Sequence, residues 1–198
     1  MATRKEDSCT GNHPSERKSV KILILGDFGI GKTTLVTTYL GLGCIPEDEE
    51  NVFEEYRVKI IYNGNEVDVG LYDLSPGPTA FERRECYPTD VNTILLCFSI
   101  GHYESLKSVY NLWIHEVRAH YGKLIPIFLV GLRRDLRLLN LSIDPFLTHS
   151  EFRVVEKSEA EDIHKNYRFH GDYMECSMYG RSCVVNVINQ AVFAAMEA

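Results

Sequence analysis

The residues best equipped for chemistry form the run "GDFGIGKTT", from Gly26 to Thr34. Within it Gly26, Gly31, Lys32 and Thr33 meet the spacing Gly-x-x-x-x-Gly-Lys-Thr, the pattern of a loop that cradles phosphates. The residue types explain the pattern. A glycine-rich turn lets the backbone N–H groups of Asp27, Phe28, Gly29, Ile30 and Gly31 converge on an anion, backed by the positive end of the helix that follows. Lys32 would reach the terminal phosphates, the Thr33 hydroxyl would hold a divalent cation, and Thr34 continues the phosphate-facing turn. Phe28 stands where the backbone must hug a bound phosphate, and so opens the question whether the loop still works. The plain alternative, a glycine turn beside a surface lysine, is outweighed by a strand before the loop and a helix after it.

Apolar runs and helical patterns alternate along the chain to position that loop. "VKILILG" reads as a short strand ending at Gly26, and Lys32 to Leu40 as a helix. "YRVKIIYNGNEVDVGLYD" holds two strands around Asn63-Gly64, a hairpin signal. "NTILLCFS" and "LIPIFLVG" are continuous apolar runs, as strands covered on both faces require. Leu106, Val109, Tyr110, Trp113 and Val117 fall at helical spacing, which makes the single Trp a core residue rather than a stacking platform. "SEAEDIHK" reads as a helix with an acidic first turn and "DYMECS" as a short strand; Val184, Ile188, Ala191, Val192 and Ala195 give the apolar stripe of a last helix. The expected fold is α/β, a mostly parallel sheet with helices on both faces. Its ligand site would lie at the carboxyl ends of the strands.

Composition narrows the class. A chain of 198 residues, 44% hydrophobic and 25% charged, can bury one sizeable core. We expect residues 1–18, polar and without period, to form a disordered arm and 19–198 the single domain. A formal charge of −7 speaks against nucleic-acid binding, which usually requires a basic face. The six cysteines contain no Cys-x-x-Cys pair, and Cys97 and Cys176 lie in apolar runs as core thiols. None of the seven histidines has metal-ligand spacing, and His115 and His120 read as surface residues of a helix. The absence of a signal peptide and of a long apolar run leads us to expect a cytoplasmic protein that partners could recruit to membranes. Ala2 excludes myristoylation, and the end "AAMEA" lacks a Cys-a-a-X box, so no lipid anchor is expected in this chain.

In order along the chain, "GDFGIGKTT", "PEDEENVFEEY", "LYDLSPG", "YPTDVNTILLCFSI", "VGLRRDLR" and "MECSM" together resemble the Rho branch of the Ras-like small GTPases. The resemblance spans Val20 to Met196 and includes the Tyr-Pro-x-Asp-Val stretch at Tyr87 to Val91; the segment Leu138 to Glu156 has about the length of the helical insert that marks the branch. It implies a P-loop small-GTPase fold with a six-stranded sheet, binding of GTP or GDP with Mg²⁺, and effector and regulator proteins that read two switch segments. By the same resemblance, Thr33, Asn51 and Asp73 would hold Mg²⁺. Asp135 would accept hydrogen bonds from guanine, Arg133 would lie over the base, and backbone N–H groups at Ser177 and Met178 would face the guanine oxygen.

The departures from the family pattern bear on turnover. Phe28 replaces a glycine beside the terminal phosphate and would crowd the space that an arginine finger and the attacking water need. "DLSPGP" replaces Asp-x-x-Gly-Gln; either Pro76 or Gly77 takes the glycine's place, and no Gln follows. That Gln orients the water, and even with it unassisted Ras turns over at only about 10⁻⁴ s⁻¹. Hydrolysis is therefore expected to be weak or absent. Asn51 takes the place of a threonine, and Asp48, Glu49 and Glu50 add negative charge best turned to solvent. Leu132 replaces a polar residue of the base-reading segment. Two readings remain open, a GTP-binding switch of atypical type and a Rho-shaped interaction module with little nucleotide affinity. A phosphate-loop kinase is disfavoured, since no basic lid segment is present.

Overall fold

The computed structural model describes residues 18–43, 53–74, 84–139 and 153–197. Asn51, the acidic run Asp48 to Glu50, the Pro76/Gly77 alternatives, most of the 138–156 insert and residues 1–17 of the expected arm lie outside the described residues. The first strand, β1 (Lys18–Leu25), starts one residue inside that arm, with Lys18 in register with Val67. The elements that follow are α1 (Lys32–Leu40), β2 (Phe53–Tyr62), β3 (Asn65–Leu74) and β4 (Thr93–Ser99). Next come α2 (Tyr103–Ser108), a π-turn (Val109–Trp113), α3 (Ile114–Tyr121), β5 (Ile127–Leu132), α4 (Leu136–Leu139), α5 (Lys157–Asn166), β6 (Met174–Glu175) and α6 (Arg181–Glu197).

Six strands form one sheet in the order β2-β3-β1-β4-β5-β6, parallel throughout except for the β2–β3 hairpin. Asn63 and Gly64 turn that hairpin with φ of 49° and 78°. Positive φ at both central residues matches the right-handed twist of the flanking strands, and Asn-Gly tolerates it best.

Alternation along each buried strand divides the core into two layers. Val20, Ile22 and Ile24 of β1 face a cluster shared with Leu35 and Val36 of α1 and with Val184, Ile188, Ala191 and Val192 of α6. Leu23 and Leu25 face the opposite cluster, built with Leu106, Val109, Trp113 and Val117 and with Ala160 of α5. All seven residues of β4 and all six of β5 are buried, as continuous apolar runs require. Cys97 and Cys176 are core thiols as expected, and His115 and His120 are exposed.

One helix departs from the even spacing read in the sequence. The Ile114 N–H bonds the Val109 carbonyl five residues back, so the chain takes one wide π-turn between α2 and α3. Tyr110, expected in the apolar stripe, is only half-buried, while Leu106, Val109, Trp113 and Val117 stay inside. Among the described residues, no helix is long and apolar enough to cross a membrane.

Candidate nucleotide-binding site

The parallel strands deliver the candidate residues to one edge of the sheet. Leu25 leads into the glycine loop; Asp73, beside Ile24 in register, sits near the end of β3; and β5 ends at Leu132, just before Arg133. The strand order reverses direction next to β1, and the crevice beyond such a point is where sheets of this kind bind ligands.

The loop's backbone is fixed by what a side chain would strike. A Cβ at Gly26 would lie 2.3 Å from the Cys97 carbonyl oxygen and 2.7 Å from Ile30 Cδ1, so only glycine lets the chain pass. Gly31 caps α1 at φ 103°, and as a glycine it offers no side chain to the first N–H groups of that helix. Ile30 is buried, whereas Phe28 is 49% exposed in the turn with Gly29, directed to solvent rather than into the core.

Lys32 is fully buried, with its Nζ donating to the Asp27 carbonyl at 2.8 Å. A buried ammonium is costly unless it is bonded and faces an anion, so this lysine is in effect a preplaced positive charge. The Thr33 hydroxyl donates to Asp73 Oδ2 at 2.5 Å, and both residues are buried. The pair joins α1 to β3 and sets two hard oxygen donors side by side, the donor type that Mg²⁺ takes. Among the described residues no cluster of three or more His, Cys, Asp or Glu could hold a metal, so a cation here would rely on hydroxyl, carboxylate and ligand oxygens.

A second group assembles beside the loop. The Ser177 hydroxyl donates to Asp135 Oδ1 at 2.5 Å, and Ser177 Oγ in turn accepts the Tyr179 N–H at 3.4 Å. Arg133, at φ 58°, extends its guanidinium over the loop and donates from Nη2 to the Gly29 carbonyl at 3.1 Å. The loop is therefore tied to the segment after β5 across 104 residues of chain. These groups border a cavity of about 310 Å³ lined by Gly31, Thr34, Leu132, Arg133, Asp135, Ser177, Met178 and Tyr179, among others. Its size and mixed lining, apolar from Leu132 and Met178 and polar from Asp135 and Ser177, fit a flat heteroaromatic ring.

Support lies beneath this corner. Arg137 of α4 pairs with Glu175 of β6 at 2.6 Å, Tyr173 donates its hydroxyl to the same carboxylate at 2.9 Å, and Arg137 also donates to the Val155 carbonyl. The backbone closes it from Arg134 N to Cys176 O at 3.0 Å. Cys176, at the cavity, is pushed up to about 12 by burial, so its thiol is inert and neutral.

Of the residues read from the sequence, Gly26 to Thr34, Asp73, Arg133, Asp135, Ser177 and Met178 meet at one end of the sheet, and Asn51 lies outside the described residues. Leu132 is buried in the apolar cluster and also borders the cavity. Sequence reasoning missed Tyr179, 81% exposed at the cavity rim, and Leu136 in the cavity wall. It also missed the hydrogen bond from Trp113 Nε1 to Asp27 Oδ1 at 2.8 Å. A fully buried Trp usually finds an acceptor for its N–H, which was the available signal.

A glycine loop between a central parallel strand and a helix, with a hydroxyl–carboxylate pair beside it, defines a phosphate-loop α/β protein. The Ras family model matches residues 21–197. GTP-binding protein RHO1 of Candida albicans is 34% identical over 188 residues, covering 93% of this chain and 91% of that protein. Rho-related GTP-binding protein RhoD of Homo sapiens is 35% identical over 126 residues, 63% of this chain and 59% of that protein. The chain belongs to the Ras family of small GTPases, in its Rho branch.

Proposed function

We propose that this protein is an atypical Rho-like switch that binds GTP or GDP with Mg²⁺, hydrolyses GTP weakly or not at all, and acts through effector and regulator proteins that read its switch segments. The observation that carries this reading is the Asp135–Ser177 pair at the mouth of a ring-sized cavity adjoining the N-terminus of α1. Asp135 spends one acceptor site on Ser177, and a carboxylate has about four, so it retains capacity for the N1–H and amino group of guanine. Arg133 offers its planar guanidinium and stem to one face of the base. Gly26, Asp27, Phe28, Gly29, Ile30, Gly31, Lys32, Thr33 and Thr34 take the phosphates. Ser177 and Met178 present backbone N–H groups toward the guanine oxygen.

Thr33 and Asp73, with Asn51, supply the oxygen set for Mg²⁺, whose bound role is to neutralise the charge of the terminal phosphates. Weak turnover follows from what the chain puts beside the terminal phosphate. Phe28 occupies the approach to the loop, and "DLSPGP" offers no glutamine to orient water. The test is the nucleotide content of the purified protein, released by denaturation and resolved by chromatography, with and without added GTP and Mg²⁺. Bound GTP is the expected result. Bound GDP would mean that some turnover or exchange survives and would count against the turnover claim. A folded protein that takes up neither nucleotide would move the assignment to an interaction module, a reading that the apolar Leu132 at the base segment favours.

A further inference from the structure

We propose that Trp113 is a positioning residue for the phosphate loop, its indole N–H holding the Asp27 carboxylate turned away from the bound phosphates; the proposal rests on the nucleotide-binding reading above. Asp27 places a negative charge inside a loop that has to receive a polyanion. Like charges a few ångströms apart repel strongly where water is scarce, so the direction in which that carboxylate points affects affinity.

The loop is held from both layers of the core at this one residue. On the α1 side, Lys32 Nζ binds the Asp27 backbone carbonyl at 2.8 Å. On the other side, Trp113 Nε1 binds the Asp27 carboxylate at 2.8 Å. Trp113 packs in the cluster with Leu25 and Phe98, while Leu35 and Val36 of α1 pack in the opposite one. The carboxylate is therefore drawn toward the α2–α3 layer, and the carbonyl toward the lysine.

The π-turn is what puts the indole there. In a plain α-helix, residues four apart are offset by about 40° in one sense; in a π-turn the offset is of similar size in the other. The wide turn over Val109–Trp113 thus rotates Trp113 relative to Val109 while keeping both buried, at 1% and 0% exposure. A π-turn inside a helix commonly marks a functional position, and here it ends on the residue that reaches the loop.

The test is a double-mutant cycle on the full chain, with equilibrium affinity for a fluorescent GDP in Mg²⁺ as the readout and thermal unfolding alongside. Trp113→Phe keeps most of the packing and removes the N–H. It should weaken binding roughly tenfold, the scale of one hydrogen bond to a charged group. Adding Asp27→Asn removes the charge that the indole controlled, so Trp113→Phe should cost no more than about twofold in the Asp27→Asn background. An unchanged affinity in Trp113→Phe overturns the proposal. So does an equal loss in both backgrounds, which would mean that Trp113 acts through packing alone. Failure of the unmutated protein to bind the nucleotide would refute the nucleotide-binding reading, and this proposal with it, and is told apart by the missing wild-type signal.

Discussion

Replacing Asp135 by Asn tests the base site through one functional group. In the proposed complex the carboxylate accepts two hydrogen bonds from guanine, and bonds to a charged group are worth about 1.5–3 kcal/mol each. The amide can accept only through its oxygen and turns an N–H donor toward a donor on the base. A loss of about 3–5 kcal/mol follows, on the order of 10²- to 10⁴-fold in affinity. Xanthine carries a carbonyl where guanine carries its amino group, so the same change should improve binding of xanthosine triphosphate. The Ser177 hydroxyl, now donating to Oδ1 at 2.5 Å, keeps an acceptor in the amide oxygen. Fold stability should accordingly move by no more than about 1 kcal/mol. The assay is equilibrium binding of both nucleotides with thermal unfolding as control. GTP affinity within threefold of the unmutated protein, with xanthosine triphosphate unimproved, would refute the assignment of Asp135 to the base.

Lys32→Ala should abolish measurable nucleotide binding, since it deletes the buried cation bonded to the loop at Asp27; unchanged GTP affinity would remove the phosphates from this loop. Phe28→Gly alone should leave single-turnover hydrolysis below about 10⁻⁴ s⁻¹, because no glutamine orients the water, and a rate above that would show Phe28 to be the whole block. Cys176 should resist iodoacetamide at pH 8 until the protein unfolds. With its thiol pushed up to about 12 by burial, the reactive thiolate is a fraction on the order of 10⁻⁴. Mass spectrometry showing Cys176 labelled in the native protein would refute the buried placement.

The parts of this structure legible in the sequence are those set by local pattern. Apolar runs at β1, β4 and β5, the Asn63-Gly64 turn and the spacing of Gly26, Gly31, Lys32 and Thr33 each carry their physical cause within about ten residues of chain. The parts that were missed depend on contacts across the chain. Arg133 reads as a residue laid over a base, yet what fixes it here is the Gly29 carbonyl, 104 residues away. Leu132 reads as a lost polar contact; what the sequence did not show is that it packs in the core cluster while also bordering the cavity.

Trp113 shows the limit most clearly. Helical spacing assigned it to the core, and at 1% exposure it is core. Spacing could not reveal the π-turn that aims its N–H, because a hydrophobic pattern at positions 106, 109, 113 and 117 is satisfied by either helix geometry. The same side chain thus fills space for the fold and, by bonding the Asp27 carboxylate, holds that charge turned away from the candidate phosphate site. A residue with both roles leaves only the first of them in the pattern of the sequence.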